Sequence, residues 1–590
     1  MIASQSGTIH PFTDKDELII IYEQVGDIPL LIGQMIRMGL PEILDRYIPR
    51  HGRQRDLSWG WTATIWLSYI LSEGDHRKIS MTQYVSEMAN TLSAVTGQPI
   101  EPLDFDDDRL SHLLHHLSNP QIWQAVEREV SERCIAVYEL PKEVVRCDPT
   151  TVSGHHEIEK GGVMQFGHSK DDPSLPQIKL AVASLDPLGM PLVTEVVSGE
   201  KADDGLYHQI IERVEDTLKK SGLLFVGDCK MSALENRAQI AESGNFYLSP
   251  LPRTGETAKE MPHWIDIGLE KDRHGNWEPI FRVNDQGEIV LAACAYEFEC
   301  PQSAQIDGKT VTWDERVIVV QSPAHAEQQE RGLEKRLDAA QKKIEALTPP
   351  VGRGKRQFRE EESLKAAIAR IMKEHGVAGL LNVEYERQCA IETYYVGRGR
   401  GSAQREQQVL EKVRYQITVV ARNEDAIHAT KQHFGWKAFV SNTARTVLSL
   451  NDVVLCYRNE YRIERIFNRL KSRLNIAPLF VKRNDQITGL TYLLTLGVRV
   501  LTLIEFVIRR SLQVDEAKLP DLHPENRKKE TDKPTAERIL KAFSNISLTI
   551  IRDTAGNEIL HSLTPLSVVQ QAILNRLGLE NVYGQLENSG

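Results

Sequence analysis

Three carboxylates, Asp148, Asp228 and Glu464, are where this sequence could do chemistry. Asp148 closes the run Glu143-Val-Val-Arg-Cys-Asp148, and Asp228 closes Leu223-Leu-Phe-Val-Gly-Asp228. Each run reads as a short strand, and polar ligands collect at the strand ends of open sheets. Acids without a Cys or His partner suit hard, oxygen-seeking cations, Mg²⁺ or Mn²⁺. Two such ions about 4 Å apart can activate a water or a 3′-hydroxyl and stabilise the leaving oxygen of an in-line phosphoryl displacement. The competing reading makes Asp148 and Asp228 turn or helix caps, and Pro149-Thr150 suits a turn.

Glu464 needs a helix to carry it. The stretch from Tyr457 to Lys471 has helical period, with Ile463, Ile466, Phe467, Leu470 and Leu474 as an apolar stripe. Glu464 and Lys471 are seven residues apart, so on a regular helix they lie one above the other with Asn468 between them. Arg458, Arg462, Arg465, Arg469 and Arg473 surround them, an arrangement that could hold a metal ion beside a phosphate backbone. The competing reading is an amphipathic helix with a solvated basic face. The net charge of −11 argues weakly against nucleic acid, but binding follows local patches. Residues 457–483 hold eight Lys/Arg against two Glu, and residues 351–373 hold seven against three.

The elements around these acids read as β-β-β-α-β-α-β over residues 143–251. Ile178–Leu185 and Met190–Val197 form a hairpin through Asp186-Pro-Leu-Gly189. Residues 1–140 read as helical, with Trp59, Trp61, Trp66 and Trp123 as packing residues. The acidic cluster Asp104–Asp108 lacks the Gly and distal Glu of a calcium loop and reads as a helix N-cap. Residues 279–321 alternate as strands, and 325–347 and 361–376 read as helices. A linker over 513–536 leads to a last α+β module.

A chain of 590 residues predicts three or four domains, and 41% hydrophobic with 26% charged residues is ordinary for a soluble protein. No secretory signal pattern is visible. The apolar run Gly489–Ile508 contains Arg499 and Glu505, so it predicts a buried helix and no membrane partner. Seven scattered cysteines without a Cys-x-x-Cys pair fit a reducing cytoplasm.

Taken together, these residues resemble the DDE transposases of bacterial insertion sequences, in the group with a Tyr-x-x-Arg-x-x-x-Glu-x-x-x-x-x-x-Lys signature. Tyr457, Glu464 and Lys471 fall on that pattern, and Glu460 stands where it has Arg. Phe166-Gly-His-Ser-Lys-Asp171, Leu175-Pro-Gln177, Leu224-Phe-Val-Gly-Asp228 and Ala477–Ile487 belong to the same likeness, which spans roughly 20–580. The N-terminal region is similar to that of a long-chain branch of the insertion-sequence-four group.

The resemblance implies an α/β fold with an RNase H-like catalytic core, a mixed sheet flanked by helices. The expected divisions are an N-terminal helical DNA-binding or assembly domain (1–140), the core's first part (141–251), an insertion domain (252–412), the core's second part with the Glu helix (413–512), and a linker with a small C-terminal module (513–590). Asp148, Asp228 and Glu464 would hold Mg²⁺ or Mn²⁺, as two ions. Tyr457 and Lys471 would contact DNA phosphates or terminal bases, with Arg458, Arg462 and Arg473 beside them; Arg458 or Arg462 could replace the cation missing at Glu460.

The implied activity is cleavage at the element's ends and 3′-OH strand transfer into target DNA, by a homodimer at synapsis of two double-stranded ends. The alternatives are an RNase H-like metal nuclease without strand transfer, or a catalytically impaired DNA-binding descendant. Gly162–Ser169 imitates a P-loop, but His168 stands in place of the Lys, which argues against a nucleotide cofactor. His155-His156 and the Gly-Arg loops at 352–356 and 397–402 are candidate DNA contacts, with solvated loops as the alternative.

Overall fold

The computed structural model describes residues 18–50, 57–169, 171–275, 277–284, 287–306, 308–355, 357–396, 406–459, 461–523, 525–526 and 528–587. Glu460, Lys170, Arg356 and the loop 397–402 lie outside the described residues. The chain divides into two compact units, 1–249 with 302–313 and 456–590, and 250–301 with 314–455.

The first unit begins with β1 (Ile19–Glu23), followed by helices. The long helical periods of the sequence are broken where capping chemistry intervenes. Gly39 takes a left-handed φ of 71° between Ile28–Arg37 and Leu40–Tyr47. Asn119 caps Pro120–Tyr138 through Gln121 and Ile122. The acidic cluster is a cap as expected: Asp106 accepts from the Arg109 N–H at 2.7 Å at the start of Asp107–Leu117. Trp59, Trp66 and Trp123 are buried, and Trp61 is half-buried.

The sheet follows. It contains β2 (Val144–Ser153), β3 (Gln177–Leu185), β4 (Met190–Ser198), β5 (Leu224–Gly227) and β6 (Phe246–Pro250) in spatial order β4-β3-β2-β5-β6. β2–β3 and β3–β4 are antiparallel, whereas β2–β5 and β5–β6 are parallel, so the sheet is mixed. The helices Asp204–Leu218 and Leu234–Glu242 provide the crossovers, giving the expected β-β-β-α-β-α-β order. Helix Asn484–Val514 is long and apolar enough to cross a membrane, but 94% of its apolar window is buried inside the protein. It packs on β4 and on helix Asp107–Leu117, where a Cβ at Gly489 would lie 2.0 Å from the Leu114 carbonyl oxygen. Trp123 stacks on Tyr492 with ring centroids 4.3 Å apart.

The second unit has β7 (Glu278–Val283), residues 289–301 of β8 (Ile289–Ile306) and 314–321 of β9 (Lys309–Gln321), the hairpin β10 (Leu381–Tyr395) and β11 (Gln407–Arg422), and β12 (Trp436–Ser441). Helices Pro323–Glu345 and Glu361–Glu374 pack together around Leu333, Leu337, Leu364 and Ile368. Its boundaries differ from the sequence reading. β11 pairs with β10 and β12 with β9, so residues 413–455 complete this unit instead of opening a second core segment at 413. β9 and β12 are far apart in sequence, so their pairing leaves no local signal.

The C-terminal segment is also not a separate module. β13 (Leu548–Arg552) and β14 (Glu558–Leu563) form a three-stranded sheet with β1 on the far side of β13. Ile19 opposes Arg552 and Glu23 opposes Leu548. The N-terminal helices, the mixed sheet and this second sheet belong to one compact unit, against the expected division at 140 and 513.

Candidate active site

β2 and β5 run parallel with Cys147 opposite Gly227, so Asp148 and Asp228 are the next residues on adjacent strands. Strand spacing places their backbones about 5 Å apart. β5 stops at Gly227, whereas β2 continues to Ser153. Beyond Cys147, β2 therefore lacks its β5 partner while β3 still pairs it, with Asp148 opposite Val182 and Pro149 opposite Ala181. A proline, having no N–H, is tolerated at such a local edge. Asp148 thus lies within a strand, and the turn suggested by Pro149-Thr150 is not formed. Asp148, Asp228, Arg146, Cys147, Tyr457 and Ile463 line one narrow crevice.

Asp228 does have the capping role considered for it. Its Oδ1 accepts from the Lys230 N–H at 2.8 Å, closing an Asx turn, and from the Tyr207 hydroxyl at 2.7 Å. Tyr207 is 1% exposed. Burial, then the charges of Asp228 and Asp148, hold its phenol well above the ordinary value, so the hydroxyl keeps its proton to donate. The sequence reading missed Tyr207, which sits among Leu206, Ile210, Ile211 and Val214 and looks like core. The available signal was that a buried tyrosine hydroxyl needs a partner.

The expected continuous helix over 457–471 is three pieces. Leu450–Arg458 ends before a turn in which the Arg462 N–H donates to the Asn459 carbonyl at 3.1 Å. Tyr461–Asn468 follows, and then Arg469–Arg473 forms a π-helical turn. That wider turn changes the phase, so the seven-residue spacing does not stack Lys471 squarely over Glu464. Ile463 faces the crevice, while Glu464 is exposed and has no hydrogen bond or ion pair among the described residues. Among those residues no set of three or more His, Cys, Asp or Glu is gathered to hold a metal ion. Asp148 and Asp228 are brought together; Glu464 is carried on the helix packed against β2 but does not join them.

The basic face is largely occupied by the protein's own acids and carbonyls. Arg462 and Arg146 share Asp186, the latter at 2.9 Å, and Arg146 also donates to the Cys456 carbonyl at 2.5 Å. Arg146 and Asp186 are buried, so this network fixes the Glu464 helix to β2 and the β3–β4 turn. Arg465 and Arg469 each reach Glu505 at 2.5 Å, and Arg469 reaches Glu537 at 3.0 Å. Arg473 donates to the carbonyls of Leu71 and Ser72 at 2.8 and 3.3 Å. Lys471 pairs with Asp171 at 2.8 Å, and Arg458 is half-buried. Tyr457 is 9% exposed. The competing reading, a solvated basic face, is not what the structure has, since most of these cations are paired within the protein. Its neutralising acids come from positions 171, 186, 505 and 537, which a local charge count does not include.

No protein-family model and no curated protein sequence matches the chain. Among solved structures, a piggyBac transposase synaptic complex with hairpin DNA is similar over 88% of this chain and 79% of its own, with a TM-score of 0.35 and 9% identity.

Proposed function

We propose that this chain is a metal-dependent DNA transposase with an RNase H-like core, which cleaves the ends of its element and joins their 3′-hydroxyls to target DNA. The observation that carries the reading is the side-by-side placement of Asp148 and Asp228 where β5 ends and β2 continues. Two carboxylates in one crevice, with no imidazole lining it and with the Cys147 thiol held protonated by burial, fit Mg²⁺ or Mn²⁺. Asp148 and Asp228 would hold the metal, with Glu464 as a third ligand from the neighbouring helix. When bound, two such ions would lower the pKa of an attacking water or 3′-hydroxyl and neutralise charge on the leaving oxygen.

The chain's residues do the positioning. Tyr207 fixes one oxygen of Asp228, leaving the carboxylate oriented toward the crevice. Arg146, Asp186 and Arg462 anchor the Glu464 helix. Lys471 and Asp171 are 30% and 38% exposed, and such pairs contribute only about 0–1 kcal/mol, so a DNA phosphate can displace the carboxylate. Double-stranded DNA is the proposed partner, with a homodimer joining two ends.

The exposed, ungathered Glu464 favours one second reading, a DNA-binding descendant without catalysis. Labelled element ends incubated with a target plasmid and Mg²⁺ separate the possibilities. The proposal expects cleaved and joined products that vanish in Asp148→Asn and Asp228→Asn and fall steeply in Glu464→Gln. Cleavage without joining supports a nuclease instead. Binding without chemistry supports the descendant. Unchanged activity in Asp148→Asn rejects the site.

A further inference from the structure

A cavity of about 840 Å³ lies along helix Tyr461–Asn468, lined on that side by Tyr461, Arg462 and Arg465. At about 100° per residue these three share an arc opposite Ile463, so the cavity and the carboxylate crevice flank the same helix from opposite sides. Glu505, Phe506 and Arg509 of helix Asn484–Val514 form its floor, the turn Pro187-Leu188 one wall, and 516–518 with 532–533 another.

The charge in this cavity is unbalanced. Six Lys/Arg face it against three acids. Glu505, 5% exposed, accepts from Arg465 and Arg469 at 2.5 Å, Arg509 at 2.9 Å and the Ala536 N–H at 3.2 Å. Arg465, Arg469 and the Ala536 N–H all fall on its Oε2 and Arg509 on its Oε1, and among the described residues neither Arg465 nor Arg509 forms an ion pair with another acid. Lys518 and Lys533 at the rim are exposed and form no ion pair among the described residues. Burial lowers the Arg509 guanidinium from its ordinary value, opposed by the charge of Glu505 and more weakly by Glu537, while Arg465 and Arg469 add to the lowering. The Tyr461 side chain beside these cations is 58% exposed.

We propose that this cavity binds a nucleoside phosphate, with the phosphate among Arg465, Arg509, Lys518 and Lys533 and the base against Tyr461. The volume falls in the range of small-molecule sites, about 300–1,000 Å³, and far exceeds what inorganic phosphate needs. An exposed ring offers a stacking face to any base. The nucleoside phosphate is either a free nucleotide or the end unit of a strand, and the site stands independently of the catalytic reading. Because one helix separates the cavity from the crevice, an occupant would bear directly on the segment that carries Glu464.

The test is calorimetric titration of the full chain with dAMP, with inorganic phosphate, and with a short single-stranded oligonucleotide, at low salt. The expected result is saturable dAMP binding that weakens about tenfold or more in Lys518→Glu/Lys533→Glu, whose changes are on exposed side chains. Tyr461→Ala should weaken dAMP by roughly fivefold to a hundredfold while leaving inorganic phosphate unchanged. Competition by the oligonucleotide identifies a strand end, and its absence identifies a free nucleotide; either supports the site. Absence of saturable dAMP binding, or dAMP affinity unchanged in the charge-reversed variant, overturns it.

Discussion

Glu127→Gln tests whether buried ion pairing holds the N-terminal helices to the sheet. Glu127 is 1% exposed on helix Pro120–Tyr138. Its oxygens accept from the Thr194 hydroxyl at 2.6 Å and N–H at 3.1 Å, from Arg213 at 2.5 Å, and from Arg499 at 2.5 Å. Arg499 is 0% exposed; it also donates to the carbonyls of Pro191 and Leu192, at 2.7 and 3.3 Å, and lies over the Trp123 ring, but has no second acid among the described residues. An amide at 127 leaves the Arg499 charge buried without an acid, and such a break costs about 3–5 kcal/mol. Arg499→Met alone leaves Glu127 with Arg213 and Thr194, so its cost should be smaller, about 1–3 kcal/mol. The double variant removes the stranded charge and should recover at least about 2 kcal/mol relative to Glu127→Gln. Chemical denaturation followed by tryptophan fluorescence reads this directly, because Trp123 lies on the same helix. Simple additivity of the two single variants, or a loss below about 1 kcal/mol for Glu127→Gln, would refute the reasoning.

Four further outcomes follow from the same geometry. Tyr207→Phe should change stability by about 1 kcal/mol yet weaken Mg²⁺-dependent cleavage by about 10–100-fold and raise the Mg²⁺ concentration it requires, measured by metal titration. Asp186→Asn, which strips Arg146 and Arg462 of their acid, should destabilise by about 3–5 kcal/mol in denaturant titration, and a loss under 1 kcal/mol would count against the anchoring network. Burial raises the Asp27 carboxyl from 3.8 to about 6, partly opposed by Ser72 and Arg473. The folded state then binds this proton more tightly than the unfolded state, so the stability it contributes, about 3 kcal/mol in all, is lost as pH rises, about 2 kcal/mol of it between pH 4 and 6, and the curve is level above about pH 7. Asp27→Asn keeps the acceptor for Ser72 and should flatten that slope; an unaltered melting profile between pH 4 and 6 would contradict it. Lys471→Ala should cost no more than about 1 kcal/mol in stability while lowering DNA affinity and its salt dependence.

The sheet around the two aspartates was legible because its strands are short apolar runs closed by turn residues, and the Asp186–Gly189 turn is where the sequence put it. Pro149 was misleading. It suggested a turn, but its missing N–H is tolerated because β5 has already ended. Helical period identified the Ile463, Ile466, Phe467 and Leu470 stripe, all buried, but periodicity carries no information about a π-helical turn at 469–473. The arginines looked available because their acids are remote in sequence. Unit boundaries were hidden for the same reason: β12 with β9 and β1 with β13 are pairings remote in sequence that only the folded chain reveals.

The pairing of β1 with β13 also sets an order of events during synthesis. Ile19–Glu23 emerges early but finds its strand partner only when residues 548–552 have been made. Until then β1 presents an unpaired backbone edge, beside side chains of Ile19, Ile20 and Tyr22 that stay largely exposed even after pairing. The first unit therefore closes last, after the second unit, 250–301 with 314–455, has left the ribosome and could fold around its own core. A prematurely terminated chain would lack the strand that covers β1, so completion of the crevice-bearing unit is tied to synthesis of the distal segment.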